Sequence, residues 1–118
     1  MNGENSNIAV LILAAGSSKR LGKPKQLVKF KNKTLLQHSI DVSEALDLSE
    51  KIIVLGANED KILNEVDLKN HKLLINKNWQ EGMSTSLKKG LEEIRNWHPT
   101  IKHVLVLLSD QPFISELV

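Results

Sequence analysis

Residues 8–27, IAVLILAAGSSKRLGKPKQL, decide the fold. The stretch opens with an unbroken apolar run rich in β-branched side chains, the pattern of a strand covered on both faces. The run ends at Ala14-Ala15-Gly16, where a residue without a Cβ lets the chain turn tightly. Beyond it come Lys19, Arg20, Lys23 and Lys25, then Lys29, Lys31 and Lys33, with no acid among them. A local positive field of this kind suits an anionic small molecule, although a solvated basic loop is the plainer reading of a charge run taken alone.

The remaining pattern repeats the strand-then-helix theme. Residues 34–46 read as a helix with Thr34 as its N-cap, and 51–55 as a second buried strand closed by Gly56. A short helix is expected over 60–66 and a third strand over 72–75. Residues 84–97 form the clearest helix, with Leu87, Leu91 and Ile94 on one face and Ser84 as cap. Gly90 should weaken it by roughly 1 kcal/mol relative to Ala. A fourth strand is expected over 103–108. Alternating elements of this kind predict an α/β fold: a Rossmann-like three-layer α/β/α arrangement around a mostly parallel sheet. Residues 1–7 read as a disordered tail and 8–118 as the nucleotide-binding part of one domain. Residues 113–118 read as the opening of a helix with nothing after it, so the domain is expected to be C-terminally truncated.

Composition excludes several classes. The 118 residues are 41% hydrophobic and 25% charged, as in an ordinary globular chain. A formal charge of +2 and 3% aromatics offer neither the field nor the stacking platform that nucleic acid needs. There is no cysteine, which removes disulfides and thiolate metal sites. The polar start MNGENSN is not a signal peptide, and the apolar run over 8–15 is far too short to span a bilayer. A cytoplasmic location is the default expectation. His38, His71, His98 and His103 have no metal-ligand spacing, and Trp79 and Trp97 are expected to pack.

In an open parallel sheet, ligands bind beyond the carboxyl ends of the strands. The loop after the first strand fits a phosphate there. Small residues at Gly16, Ser17 and Ser18 let backbone N–H groups approach, Arg20 offers a forked donor, and Lys25 offers a point charge after Pro24. It is not a Walker A loop, since five residues separate Gly16 from Gly22 and Lys23 precedes Pro24. Nor does it contain the dinucleotide-binding fingerprint. At the end of the last strand, Asp110 can reach a Mg²⁺ bridging phosphate oxygens, or can simply open a turn before Pro112. Gly82, Met83 and Ser84 start a helix whose free N–H groups attract anions, with Ser86 adding a hydroxyl; plain capping by Ser84 is the simpler alternative.

LAAGSSKRLGKPKQL resembles the signature of the MobA-like nucleotidyltransferases, and EGMSTSL and LSDQPF look like the branch containing molybdenum cofactor cytidylyltransferase. The resemblance implies a Rossmann-like fold, use of Mg²⁺, and transfer of CMP from CTP to a molybdopterin-type acceptor with release of pyrophosphate. It implies that Leu13, Ala14, Ala15 and Gly16 contact base and ribose, that Arg20 and Lys25 hold the triphosphate, and that Asp110 binds the metal. It also implies that Gly82, Met83 and Ser84 line the nucleoside side. A recipient molybdoenzyme is a further implied partner; nucleic acid and membrane are not. The family continues well past the Asp-Gln-Pro loop, and the resemblance places a further metal ligand and most of the acceptor site in that part. A guanylyltransferase, a sugar-phosphate or isoprenoid-precursor cytidylyltransferase, and a nucleotide-binding module without catalysis remain alternatives.

Overall fold

A computed structural model describes residues 7–16, 25–46, 48 and 50–108. Apolar runs form the strands: β1 (Ile8–Ala14) and β4 (Glu50–Leu55) are buried on both faces, while β5 (Lys72–Ile75) and β6 (His103–Leu108) are partly exposed. They join in one parallel sheet of order β5-β4-β1-β6. β1 is central, in register with β4 through Leu11↔Ile52 and with β6 through Leu11↔Val106. The chain thus steps outward from β1 through β4 to β5, then crosses back to the far side of β1. A reversal of this kind is the topological switch point beside which α/β sheets bind ligands.

The alternation of side chains along β1 separates two cores. Val10, Ile12 and Ala14 join Leu36 and Ile40 of α1 (Leu35–Ala45) and Ile62 of α2 (Glu59–Leu63). Ala9, Leu11 and Leu13 join Ile94 of α3 (Met83–Trp97). Helices therefore cover both faces, giving the expected three-layer α/β/α arrangement. Among the described residues, no helix is long and apolar enough to cross a membrane.

Several local expectations are corrected. Residues 29–34 are not simply loop: β2 (Lys29–Phe30) and β3 (Lys33–Thr34) pair antiparallel around Lys31 and Asn32, both at positive φ. That turn geometry suits a two-residue hairpin. α2 stops at Leu63, before the expected 66. Thr34 does cap α1, its Oγ1 accepting from Gln37 N–H at 3.0 Å. Ser84, however, does not cap α3. The cap is Gly82, and Ser84 is an exposed residue inside the helix. At φ 115 and ψ 169, Gly82 occupies backbone space that side chains exclude, so a glycine here reaches the helix start by a route Ser could not follow. The expectations for residues 1–6 and 109–118 lie outside the described residues.

Candidate functional site

The carboxyl ends of β1 and β4 are tied together where the chain leaves the sheet. Ala57 N–H donates to the Ala15 carbonyl at 2.8 Å, and Asn76 N–H donates to the Leu55 carbonyl at 2.7 Å. A 3-10 turn, Trp79–Glu81, then carries the chain across this edge into α3. Gly56 makes the close approach possible: a Cβ there would lie 2.8 Å from Cβ of Trp79 and 2.9 Å from the Asn76 carbonyl oxygen.

The result is a cavity of about 550 Å³ lined by Leu13, Ala15, Gly16, Trp79, Gln80, Gly82, Met83 and Ser86. Its volume suits a nucleoside or a drug-sized ligand. None of these lining residues is ionisable. The first turn of α3 meets the cavity at Gly82 and Met83, which brings the positive end of that helix to its mouth. Met83 is 60% exposed, an apolar side chain left at the rim.

Of the residues expected at a nucleoside site, Leu13, Ala15, Gly16, Gly82 and Met83 come together around this cavity. Ala14 does not line the cavity; strand alternation turns its side chain into the α1 core. Ser84 does not line it either; Ser86, two positions further along the helix, does. Arg20 and Asp110 lie outside the described residues, as does the Lys25 side chain; the Lys25 backbone begins a 3-10 turn, Lys25–Leu27. Among the described residues no cluster of His, Asp and Glu forms a metal centre.

Sequence reading missed Trp79 and Gln80 as wall residues, and Asn76 and Gln26 as their supports; Ser86, named for its hydroxyl, does line the cavity. Trp79 packs against the α3-side core, as expected of it, but also faces the cavity. Asn76 is only 3% exposed and makes a full set of bonds. Its Nδ2 donates to Thr85 Oγ1 at 2.9 Å and Ser86 Oγ at 2.8 Å, while Oδ1 accepts from Asn78 N–H at 2.9 Å. It thus fixes the end of β5, the Trp79 turn and the first turn of α3 as one unit.

The displaced pKa values lie elsewhere, at Asp41, Glu44, Lys69 and His71 on α1 and the turn before β5. Among the described residues the cavity is therefore marked by shape and helix polarity rather than by a perturbed acid or base.

The MobA-like NTP transferase domain pattern matches residues 10–118. The chain belongs to the MobA-like NTP transferase family. Within this nucleotidyltransferase family it is similar to nicotine blue oxidoreductase of Paenarthrobacter nicotinovorans, 34% identical over 89% of this chain and 50% of that protein. It is also similar to a probable molybdenum cofactor guanylyltransferase of Natranaerobius thermophilus, 26% identical over 92% of this chain and 50% of the relative. The crystal structure of Rv0371c from Mycobacterium tuberculosis H37Rv superposes with a TM-score of 0.79 at 30% identity, over 92% of this chain and 53% of that one. A complex of Rv0371c with manganese matches at a TM-score of 0.75. The chain spans about half the length of these relatives.

Proposed function

We propose that this chain holds the nucleotide half of a nucleotidyltransferase that moves CMP from CTP to molybdenum cofactor and releases pyrophosphate. The observation that carries the reading is the cavity at the carboxyl end of β1. Its neutral wall faces the start of α3, and in sequence the basic residues Lys19, Arg20 and Lys23 lie between Gly16 and the turn Lys25–Leu27, which Lys25 begins. In this reading the neutral wall takes base and ribose. Arg20 and Lys25 take the triphosphate, as forked donor and point charge. CTP as donor and molybdopterin as acceptor rest on EGMSTSL and LSDQPF.

An oxygen of the acceptor phosphate attacks the α-phosphorus in line. The bond from that phosphorus to the bridging oxygen breaks, and pyrophosphate leaves with the electron pair. Both reactants are anions, so catalysis here is largely positioning and neutralisation of charge. The family implies a divalent metal, and the manganese complex of Rv0371c supports one. A hard cation that takes most of its ligands from phosphate oxygens and water needs few protein carboxylates, and among the described residues no group of three or more His, Asp or Glu could hold one. Asp110 would hold it, and when bound the ion supplies positive charge to the phosphates.

The test is pyrophosphate release with molybdopterin and, in turn, CTP, GTP, ATP and UTP, using this chain and the longest form of the protein. Release with CTP alone supports the reading. Preference for GTP would move the assignment to a guanylyltransferase, as in the Natranaerobius relative. Lys25→Ala should nearly abolish release, by analogy with losses of about 10²–10³ for one transition-state donor. Near-normal turnover in that variant would overturn the phosphate-holding role. Reduction of nicotine blue without nucleotidyl transfer would place the chain with its Paenarthrobacter relative instead.

A further inference from the structure

The described chain reaches Gly16 after β1 and is described again from the turn Lys25–Leu27. The turn is anchored on its far side, since Leu27 packs in the α1 core and Leu35 N–H donates to the Val28 carbonyl at 2.8 Å. On its near side stands Gln26, 4% exposed. Its Nε2 donates to the Ala14 carbonyl and to the Gly16 carbonyl, each at 2.9 Å. One side-chain nitrogen therefore binds the end of β1, the start of the basic segment and the turn that closes it.

Gln26 Oε1 is buried and has no donor among the described residues. An unmatched buried acceptor is costly, and an apolar side chain of the same shape would remove it only by taking this donor from the Ala14 and Gly16 carbonyls. What the amide supplies is two hydrogens on one neutral nitrogen, aimed at two carbonyls. Lys would bring charge into the core, and Asn is one methylene shorter.

We propose that Gln26 is a positioning residue for the nucleotide: its amide clamps the Ala14 and Gly16 carbonyls to the turn Lys25–Leu27, so that Gly16 is held at the cavity. The inference rests on the nucleotide-holding reading above. It assigns Gln26 no contact with ligand.

Two variants test it. Gln26→Leu removes both donors at similar size and is expected to fold. Gln26→Glu sets a carboxylate against two carbonyl oxygens at neutral pH and regains one donor when protonated. Calorimetric titration with CTP and GTP, each with Mg²⁺, should show affinity at least tenfold weaker in both variants at pH 7.5. The deficit of Gln26→Glu relative to the native chain should narrow toward pH 5, while that of Gln26→Leu should not. Amide hydrogen exchange of the free chain gives a second, ligand-independent readout. Exchange over 15–27 should quicken in Gln26→Leu while β4 and α1 keep their protection. Native affinity in both variants, or unchanged exchange over 15–27, overturns the clamp. A native chain that binds no nucleotide overturns the proposed function instead, and the clamp then stands or falls on the exchange result.

Discussion

Gly90 of α3 lies directly on Leu11 of β1, so close that a Cβ at position 90 would sit 2.6 Å from Leu11 Cδ1 and 3.1 Å from Cγ. Leu11 is fully buried and cannot swing aside. Helix propensity alone says that Gly90→Ala should stabilise α3 by about 1 kcal/mol. The contact says the opposite, since overpacking a closed core costs about 1–3 kcal/mol. The larger effect should win, and Gly90→Ala should lower the unfolding midpoint by a few degrees. The same change in a Leu11→Ala background should become neutral or stabilising, because the colliding methyls are gone. A stabilising Gly90→Ala in the native background would refute the close packing of α3 on β1.

His71 should make stability depend on pH. Its side chain is buried; Nδ1–H donates to the Leu68 carbonyl at 2.9 Å, which leaves Nε2 to accept from the Ser43 hydroxyl at 2.7 Å. Burial lowers its pKa below 6.5, against the Leu68 bond and the Glu44 charge, which raise it. The unfolded chain then binds a proton that the folded one refuses. Stability is fully present above about pH 6.5 and falls as the pH drops toward the folded pKa. Asp41 adds a second, lower window. Burial would raise its pKa, but bonds from Lys33, Lys69 and Gln37 outweigh it and bring it from 3.8 to about 2. Its contribution is therefore lost only as the pH falls from about 4 toward 2. Urea unfolding at pH 7.5 and 5.5 should give a lower midpoint at pH 5.5, and His71→Gln should flatten the difference. A midpoint unchanged across that range would contradict the buried neutral imidazole.

Ser43→Ala isolates the same pair. It leaves a buried imidazole nitrogen without its donor, at a cost of about 1–3 kcal/mol. Chemical denaturation at pH 7.5 measures it directly, and a loss under about 0.5 kcal/mol would mean that water or a rotated ring replaces the bond.

These cases show which features the sequence carried. The sheet strands were legible because Ile8–Ala14 and Glu50–Leu55 are apolar on both faces, and burial on both faces needs nothing beyond the local pattern. The hairpin Lys29–Thr34 was not legible, since its strands are two residues each and mostly polar. Five of the expected wall residues follow from strand-end position and helix start. Trp79, Gln80 and Gln26 do not, because their places depend on the register of 3-10 turns and on contacts between segments far apart in the chain. Ser84 misled for a related reason: a residue of good capping type stood two positions inside a helix that begins by an unusual glycine conformation.

Asn76 should unite stability with ligand affinity. Asn76→Ala strips partners from the buried Ser86 hydroxyl, from Thr85 and from Asn78 N–H in one step. Loss of a buried network of this kind should destabilise by about 2–4 kcal/mol. Asn76→Asp discriminates between shape and charge. The Ser86 and Thr85 hydroxyls can turn to donate to the new carboxylate, so folding should largely survive. The added negative charge beneath the cavity should still weaken binding of a nucleoside triphosphate more than that of the nucleoside. Equal effects on both ligands in Asn76→Asp would argue against a phosphate at this edge.

Gly82→Ala tests whether the start of α3 must stay where it is. No atom of the described residues lies within 4 Å of the space a Cβ would fill, so collision cannot explain any effect. What remains is the backbone: φ 115 with ψ 169 is a region that costs a non-glycine residue about 1–3 kcal/mol. The strain can be relieved only by resetting the first turn of α3, which would draw Met83 and the helix terminus away from the cavity. Gly82→Ala should therefore lower the unfolding midpoint by several degrees and weaken CTP binding more than tenfold. The two effects should separate in Met83→Ala, which leaves the cap geometry alone and removes an exposed side chain, so its stability should be close to native. Native affinity in Gly82→Ala, with the expected loss of stability, would show that the helix start is structural and that the nucleotide does not lean on it.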